Sequence, residues 1–143
     1  VSALALCIAI AIADGDTLTV RCGAPGAYTQ TKIRIAEIDA PERRQAYGER
    51  AHQTLATLCH QQTAEVTPQT LDRYGRTVAR VRCQGQDVSA AMVKAGMAWA
   101  YAKYLTDPEI KRLEGLSRTG KVGLWSDTAP VPPWEYRHRK VGE

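Results

Sequence analysis

Residues 32–42 read KIRIAEIDAPE, an apolar run that carries one arginine and ends in two carboxylates set three residues apart across a proline. Ile33, Ile35, Ala36 and Ile38 have the content of a short buried strand. Pro41 has no N–H to give to a sheet ladder, so the strand must stop at Asp39 or Ala40. Arg34, Asp39 and Glu42 therefore crowd one strand end. Taken alone, the stretch reads equally well as a solvated loop beside a surface arginine, so its neighbours in the sequence have to decide.

Two other segments share its character. Asp14-Gly15-Asp16-Thr17 is a hairpin signal flanked by apolar residues, and Asp72-Arg73-Tyr74-Gly75-Arg76 is a loop that runs into Val78-Ala79-Arg80-Val81. The pattern predicts a hairpin of residues 3–13 and 17–23, with Asp16 beginning the second strand. A Gly/Pro loop at 23–29 and a third strand at 31–39 follow. From 44 to about 61 the period changes, and Ala51, Leu55, Leu58 and Cys59 form a core-facing stripe at helical spacing. Residues 63–67 and 76–83 read as strands four and five. A second helix is expected from Asp87 to about Ala95, with Gly96 as its C-cap. A third runs from Pro108 to about Arg118, capped by Asp107 and closed by Gly120, with Leu113, Leu116 and Trp125 packing it onto the strands. Five strands interrupted by a helix suit a small closed or partly open barrel. The expected class is α+β, mainly β, with about three helices in a single domain over residues 1–143. The tail, residues 129–143, is proline-rich and then basic at Arg137, His138, Arg139 and Lys140, either a wrapped arm or a loose end.

A chain of 143 residues is long enough to bury a core of its own, and its formal charge of +4 with a pI near 9.0 suits a polyanionic partner. The first thirteen residues, VSALALCIAIAIA, are too short to cross a bilayer as a helix. Residues 1–7 are either the remnant of a secretory leader or part of the first strand, with Ile8, Ile10 and Ile12 on one face. Four cysteines permit three pairings. A two-residue turn at Asp14-Gly15 pairs Ala13 with Asp16, and carrying that register back sets Cys7 opposite Cys22. Cys59 and Cys83 could then form a second bridge, the alternative being buried free thiols. No CxxC or Cys/His cluster points to zinc. His52, His60 and His138 lack a Ser or Cys partner motif, so they read as structural or solvent-facing.

The segments DGDTLTV (14–20), RIAEIDAPE (34–42) and DRYGRTVARV (72–81) together resemble the staphylococcal nuclease (thermonuclease) family, in the same order along the chain. The resemblance continues through Tyr47-Gly48-Glu49, residues 96–101, Gly123-Leu124-Trp125 and Pro132-Pro133-Trp134-Glu135. The stretch between Val20 and Arg34 is a few residues longer than the family usually shows. The resemblance implies a five-stranded OB-type Greek-key barrel and a calcium-dependent, largely sequence-nonspecific endonuclease acting on DNA and RNA. It assigns the Ca2+ site to Asp16, Asp39 and the carbonyl of Ala40, where the family often has threonine. It makes Glu42 the general base or the holder of the attacking water, and gives the scissile phosphate to Arg34 and Arg76. Arg73 and Tyr74 resemble contacts to a neighbouring phosphate. Tyr101 is read either as a surface for a base or sugar or as a barrel-lid aromatic. A secreted or periplasmic setting is implied, while the small one-domain size reads as a monomer and no stable protein partner is indicated. Relatives that only bind have lost acids or arginines of the site, whereas Asp16, Arg34, Asp39, Glu42 and Arg76 are all present here.

Overall fold

The structure, a computed structural model, describes residues 5–142. Strands β1 (Ala5–Asp14), β2 (Thr17–Cys22) and β3 (Thr29–Ile35) form an antiparallel meander, and β4 (Ile38–Asp39) follows after a two-residue break. Helix α1 (Gly48–Cys59) then leads into β5 (Thr63–Leu71), β6 (Thr77–Cys83) and the short β7 (Gln86–Asp87). The remainder is α2 (Val88–Lys94), β8 (Trp99–Ala100), α3 (Pro108–Thr119), a 3-10 turn at Gly123–Ser126 and α4 (Pro133–Gly142). The sheet order is β3-β2-β1-β5-β6-β7, and β3 also pairs with β6 in parallel, Arg34 opposite Val78, which closes five strands into a barrel. This is the expected OB-type arrangement, and closure leaves the five strands without a free edge.

The alternation of each strand places Leu18, Val20, Ile33, Ile35 and Val81 inside, where Leu55 of α1, Met92 of α2 and Ile110 of α3 cover them. Each such side chain contributes about 1.5–3 kcal/mol on full burial. Cys7 is bonded to Cys22 across β1 and β2, and Cys59 to Cys83, tying the end of α1 to the end of β6. Asp87 caps α2 by accepting the Ala90 N–H, and Asp107 caps α3 by accepting the Glu109 N–H.

Several expectations need correction. The first hairpin turns one residue later than predicted, joining Asp14 to Thr17 through Gly15 and Asp16, so Asp16 lies in the turn and not in the strand. Only glycine fits at position 15, since a Cβ there would stand 2.8 Å from those of Ala40 and Ala51. Two irregularities in β1 return Cys7 to its place opposite Cys22. Ala5 to Cys7 pair with β5 as barrel strand, while the leader reading of residues 1–4 falls outside the described residues.

The third strand does not run on to Asp39. It breaks at Ala36-Glu37, where Glu37 takes a positive φ of 77° and is fully buried. Its carboxylate accepts the N–H groups of Thr106 and Asp107 and the Thr106 hydroxyl, and its carbonyl accepts the Tyr101 N–H. The break therefore anchors segment 101–107 over the barrel mouth. Leu116 does not pack α3 down, being 58% exposed, and Trp125 joins a separate cluster with Trp99 and Leu124. Of the two readings of the tail, the loose end is wrong: the tail is held against the barrel, through Trp134 on Trp99 and Tyr101. It is a fourth helix, α4, with Pro133 at its start.

Candidate active site

The β1–β2 turn, the end of β3, β4, the β5–β6 loop, segment 101–104 and α4 surround a cleft of about 510 Å³ at one end of the barrel. Its floor is acidic. Asp16 is buried, with Oδ2 accepting the Ala40 N–H at 2.7 Å and Oδ1 accepting the Thr17 hydroxyl at 3.0 Å. Asp39, in β4 opposite Trp99, is 1% exposed. Arg34 lies between them. Its Nη1 donates to the carbonyls of Ile35 and Ile38 at 2.8 and 2.9 Å, while Nη2 is 3.3 Å from Asp39 Oδ1 and 3.6 Å from Asp16 Oδ2. The guanidinium thus fixes the β3–β4 bend and the two acids in one frame, and still lines the cleft.

Glu42 follows Pro41 and stands half-buried on the same wall. Its backbone N–H donates to Gln45 Oε1 at 3.1 Å, and the start of α1 runs directly beneath its carbonyl. A Cβ on Gly48 would lie 1.8 Å from that oxygen, so the close approach that seats Glu42 requires glycine.

The electrostatics follow from burial and neighbours. Burial opposes charge on Asp16, but Arg34 and the Ala40 N–H outweigh it and hold the carboxyl below its ordinary range. Burial pushes Asp39 up to about 6, against the hydrogen bond from Arg137. Asp14, at the end of β1, is pushed up to about 7 by burial and by the charge of Asp16, with Glu42 adding to the effect. Its Oδ1 is buried and has no hydrogen-bond partner.

Across the cleft, the β5–β6 loop is organised by Asp72. Oδ1 accepts the N–H groups of Tyr74 and Arg76, and Oδ2 accepts Arg76 Nε at 2.7 Å. Against the cost of burying it, those bonds hold the Asp72 carboxyl below its ordinary range. Arg76 is thereby oriented into the cleft. Arg73 donates to the Tyr74 hydroxyl at 2.7 Å, and the Tyr74 ring is 69% exposed. Tyr101 stacks on Trp134 with centroids 5.5 Å apart and meets Tyr104 edge-on at 5.6 Å. It forms a cleft wall within 5.8 Å of the Arg34 guanidinium.

Asp16, Arg34, Asp39, Glu42, Arg73, Tyr74, Arg76 and Tyr101 all line this one cleft, and Ala40 adjoins it through its bond to Asp16. Sequence reading missed Arg137. From α4 its Nη1 donates to Asp39 Oδ1 at 3.1 Å and Glu42 Oε1 at 2.8 Å, and Nη2 donates to Asp39 Oδ2 at 2.8 Å. Tyr104, Trp134 and His138 also line the cleft, and His138, expected to be structural or solvent-facing, is exposed there. The available signal was the spacing of Trp134, Arg137 and His138, three and four apart after Pro132-Pro133, which places them on one face of a helix.

A model of the family described as staphylococcal nuclease homologue matches residues 32–127. The chain belongs to that family. A protein of Haemophilus influenzae described as an uncharacterized endonuclease is 40% identical over 134 residues, which cover 94% of this chain and 74% of that relative. One of Escherichia coli with the same description is 42% identical over 132 residues, 92% of this chain and 84% of the relative. A micrococcal nuclease of Shigella flexneri is 41% identical over 140 residues, 90% of this chain and 78% of the relative. The staphylococcal nuclease match takes in Arg34, Asp39, Glu42, Arg76 and Tyr101, while Asp16 precedes it and Arg137 follows it. The cleft is therefore completed from outside the matched segment at both ends.

Proposed function

We propose that this nuclease-family enzyme is calcium-dependent and hydrolyses the phosphodiester bonds of both DNA and RNA internally, with little regard to sequence. The observation that carries the reading is the convergence of Asp16, Asp39 and Glu42 with Arg34 and Arg76 in one cleft. The acids fit a hard divalent ion. They offer only oxygen donors, Asp39 is almost wholly buried, and Asp14 adds a buried oxygen without a partner. Among the described residues no three Asp, Glu, His or Cys side chains form a ready-made cage. Asp16 and Asp39 would hold the ion, with the Ala40 carbonyl as a main-chain ligand. Calcium tolerates such a set, because water can fill its remaining positions.

When bound, that ion supplies charge to neutralise the phosphate oxygens. Arg76, bonded to Asp72 through Nε, presents its Nη pair as a fork that stays charged throughout, so its bonds strengthen as negative charge builds on the phosphoryl oxygens. Arg34, whose Nη1 is taken by two carbonyls, would act mainly through its fixed charge and its Nη2 edge. Arg34 is held rigid by two carbonyls, and Arg76 is aimed by Asp72. Glu42 orients the attacking water and takes its proton. Arg73 and Tyr74 would hold a neighbouring phosphate, and Tyr101 would offer a ring face to a base or sugar. None of these groups reads a base edge, which supports cutting without sequence preference.

Two disulfides suit an oxidising compartment, which supports action in the periplasm or outside the cell. The test is incubation of the chain with closed circular DNA and with RNA, in calcium and in chelator. Calcium-dependent loss of both substrates, with the circle opened before fragments appear, is expected. Binding without cutting under every divalent ion would leave a nucleic-acid-binding module instead.

A further inference from the structure

Asp39 has no free oxygen. Oδ1 is shared by Arg34 Nη2 and Arg137 Nη1, and Oδ2 is held by Arg137 Nη2, while the same Arg137 fork also reaches Glu42. Arg34 cannot leave, because it is buried and bonded to two backbone carbonyls. Arg137 is different. Its side chain is 39% exposed, and α4 and the residues leading into it are fixed to the barrel by other contacts: Trp134 stacks on Tyr101 and meets Trp99 edge-on, and Gln45 Nε2 donates to the carbonyl of Val131, two residues before the helix, at 2.6 Å. The arginine can therefore swing out into solvent while its helix stays in place.

We propose that Arg137 is a resident counter-cation of Asp39 and Glu42, which a divalent ion must displace to take the Asp39 carboxylate. The inference rests on the metal reading above. Two cations drawn to one carboxylate repel strongly at that separation, and charges beside a group as buried as Asp39 are poorly screened. In the ion-free protein Arg137 offsets an acid surplus, since among the described residues Asp14, Asp16, Asp39 and Glu42 share that wall with one further cation, Arg34, the cleft's other cations standing on the β5–β6 loop and segment 101–104. Once the ion brings its own charge, the guanidinium becomes surplus and leaves. Metal affinity in this chain is then set partly by a residue that is not a ligand, on a helix outside the segment that the family model matches.

The experiment is calorimetric titration of the full chain with calcium, without nucleic acid, for the wild type, Arg137→Ala and Arg137→Lys. Arg137→Ala should bind calcium about tenfold more tightly, because a charge-assisted pair no longer has to be broken. Arg137→Lys, which keeps the charge but not the fork, should fall between. In the wild type, the side-chain Nε–H resonance of Arg137 should move in step with the binding heat, a readout that needs no variant. Unchanged or weaker affinity in Arg137→Ala, or an Arg137 resonance indifferent to saturating calcium, overturns the exchange. If the wild type and Arg137→Ala both take up no calcium and no magnesium, the metal reading falls as well. That result is distinct from two binding proteins of equal affinity, which would sink the exchange alone.

Discussion

The two walls of the cleft are built in opposite ways. On the β3–β4 wall, Asp16, Arg34 and Asp39 are buried and spend most of their hydrogen bonds on one another and on the backbone. On the β5–β6 wall, Arg73 and Tyr74 stand in solvent and Arg76 is held by Asp72. The difference teaches that charge is handled where geometry is fixed by the fold, and substrate is gripped where the loop can adapt. It also separates the walls experimentally, since damage to the first should cost stability and activity together, and damage to the second activity alone.

The largest effect is expected for Arg34→Ala. It leaves Asp16 and Asp39 short of a counter-charge and two buried carbonyls without a donor, so urea unfolding should show a loss of about 3–5 kcal/mol together with lost cleavage. Stability unchanged within about 0.5 kcal/mol would break the contrast. Arg76→Ala should lower the cleavage rate about a hundredfold or more, near 3 kcal/mol of transition-state stabilisation, with the unfolding midpoint almost unmoved. Arg76→Lys should recover little of that rate, because a point charge does not replace the fork.

Gly48→Ala sharpens the comparison from the buried side. The new methyl must push the Glu42 carbonyl away, so a stability loss of about 1–3 kcal/mol and slower cleavage are expected, although residue 48 touches no substrate. Tyr74→Ala should weaken binding of single-stranded DNA by about 1 kcal/mol, roughly fivefold, with no change in melting temperature.

A pH dependence sharpens the comparison without any change to the cleft's cations. Asp14 is raised from 3.8 to about 7 in the folded chain, so between those values the folded state holds the extra proton. Its share of the stability in chelator should therefore be lost as pH rises from about 4 to about 7, and Asp39, raised to about 6, adds a share of the same sign, so Asp14→Asn should flatten the slope above about 6 and leave the Asp39 share below it. Denaturant midpoints across the range measure it, and a wild-type slope of the opposite sign would refute the assignment.

Much of this was legible in the residues. The barrel strands follow from alternation and turn chemistry, α3 from its Asp107-Pro108 start, and the acids and arginines from three short segments whose roles are local to a strand end. What escaped depended on distance along the chain. The Glu37 break looks like continuing strand, because Ile35, Ala36 and Ile38 are all apolar. Only the partners of its carboxylate, about seventy residues later at Thr106 and Asp107, explain why the backbone turns there. The Cys7 register came out correctly although the turn lies one residue later, since the irregularities of β1 compensate for it. The partners of Arg137 were hidden for the same reason as those of Glu37, although its helical spacing from Trp134 was legible. A basic tail shows its charge in the sequence, but its partners lie 98 and 95 residues away at Asp39 and Glu42.

The most direct test of the site is single-turnover cleavage of closed circular DNA by wild type and Glu42→Gln in saturating calcium, with binding to the same DNA measured in chelator. We expect Glu42→Gln to bind as the wild type does and to cut about 10²–10⁴-fold more slowly, since only the group that handles the attacking water has changed. Cutting at the wild-type rate would contradict the assignment of Glu42 and, with it, the reading of this cleft as the place where water meets the phosphate.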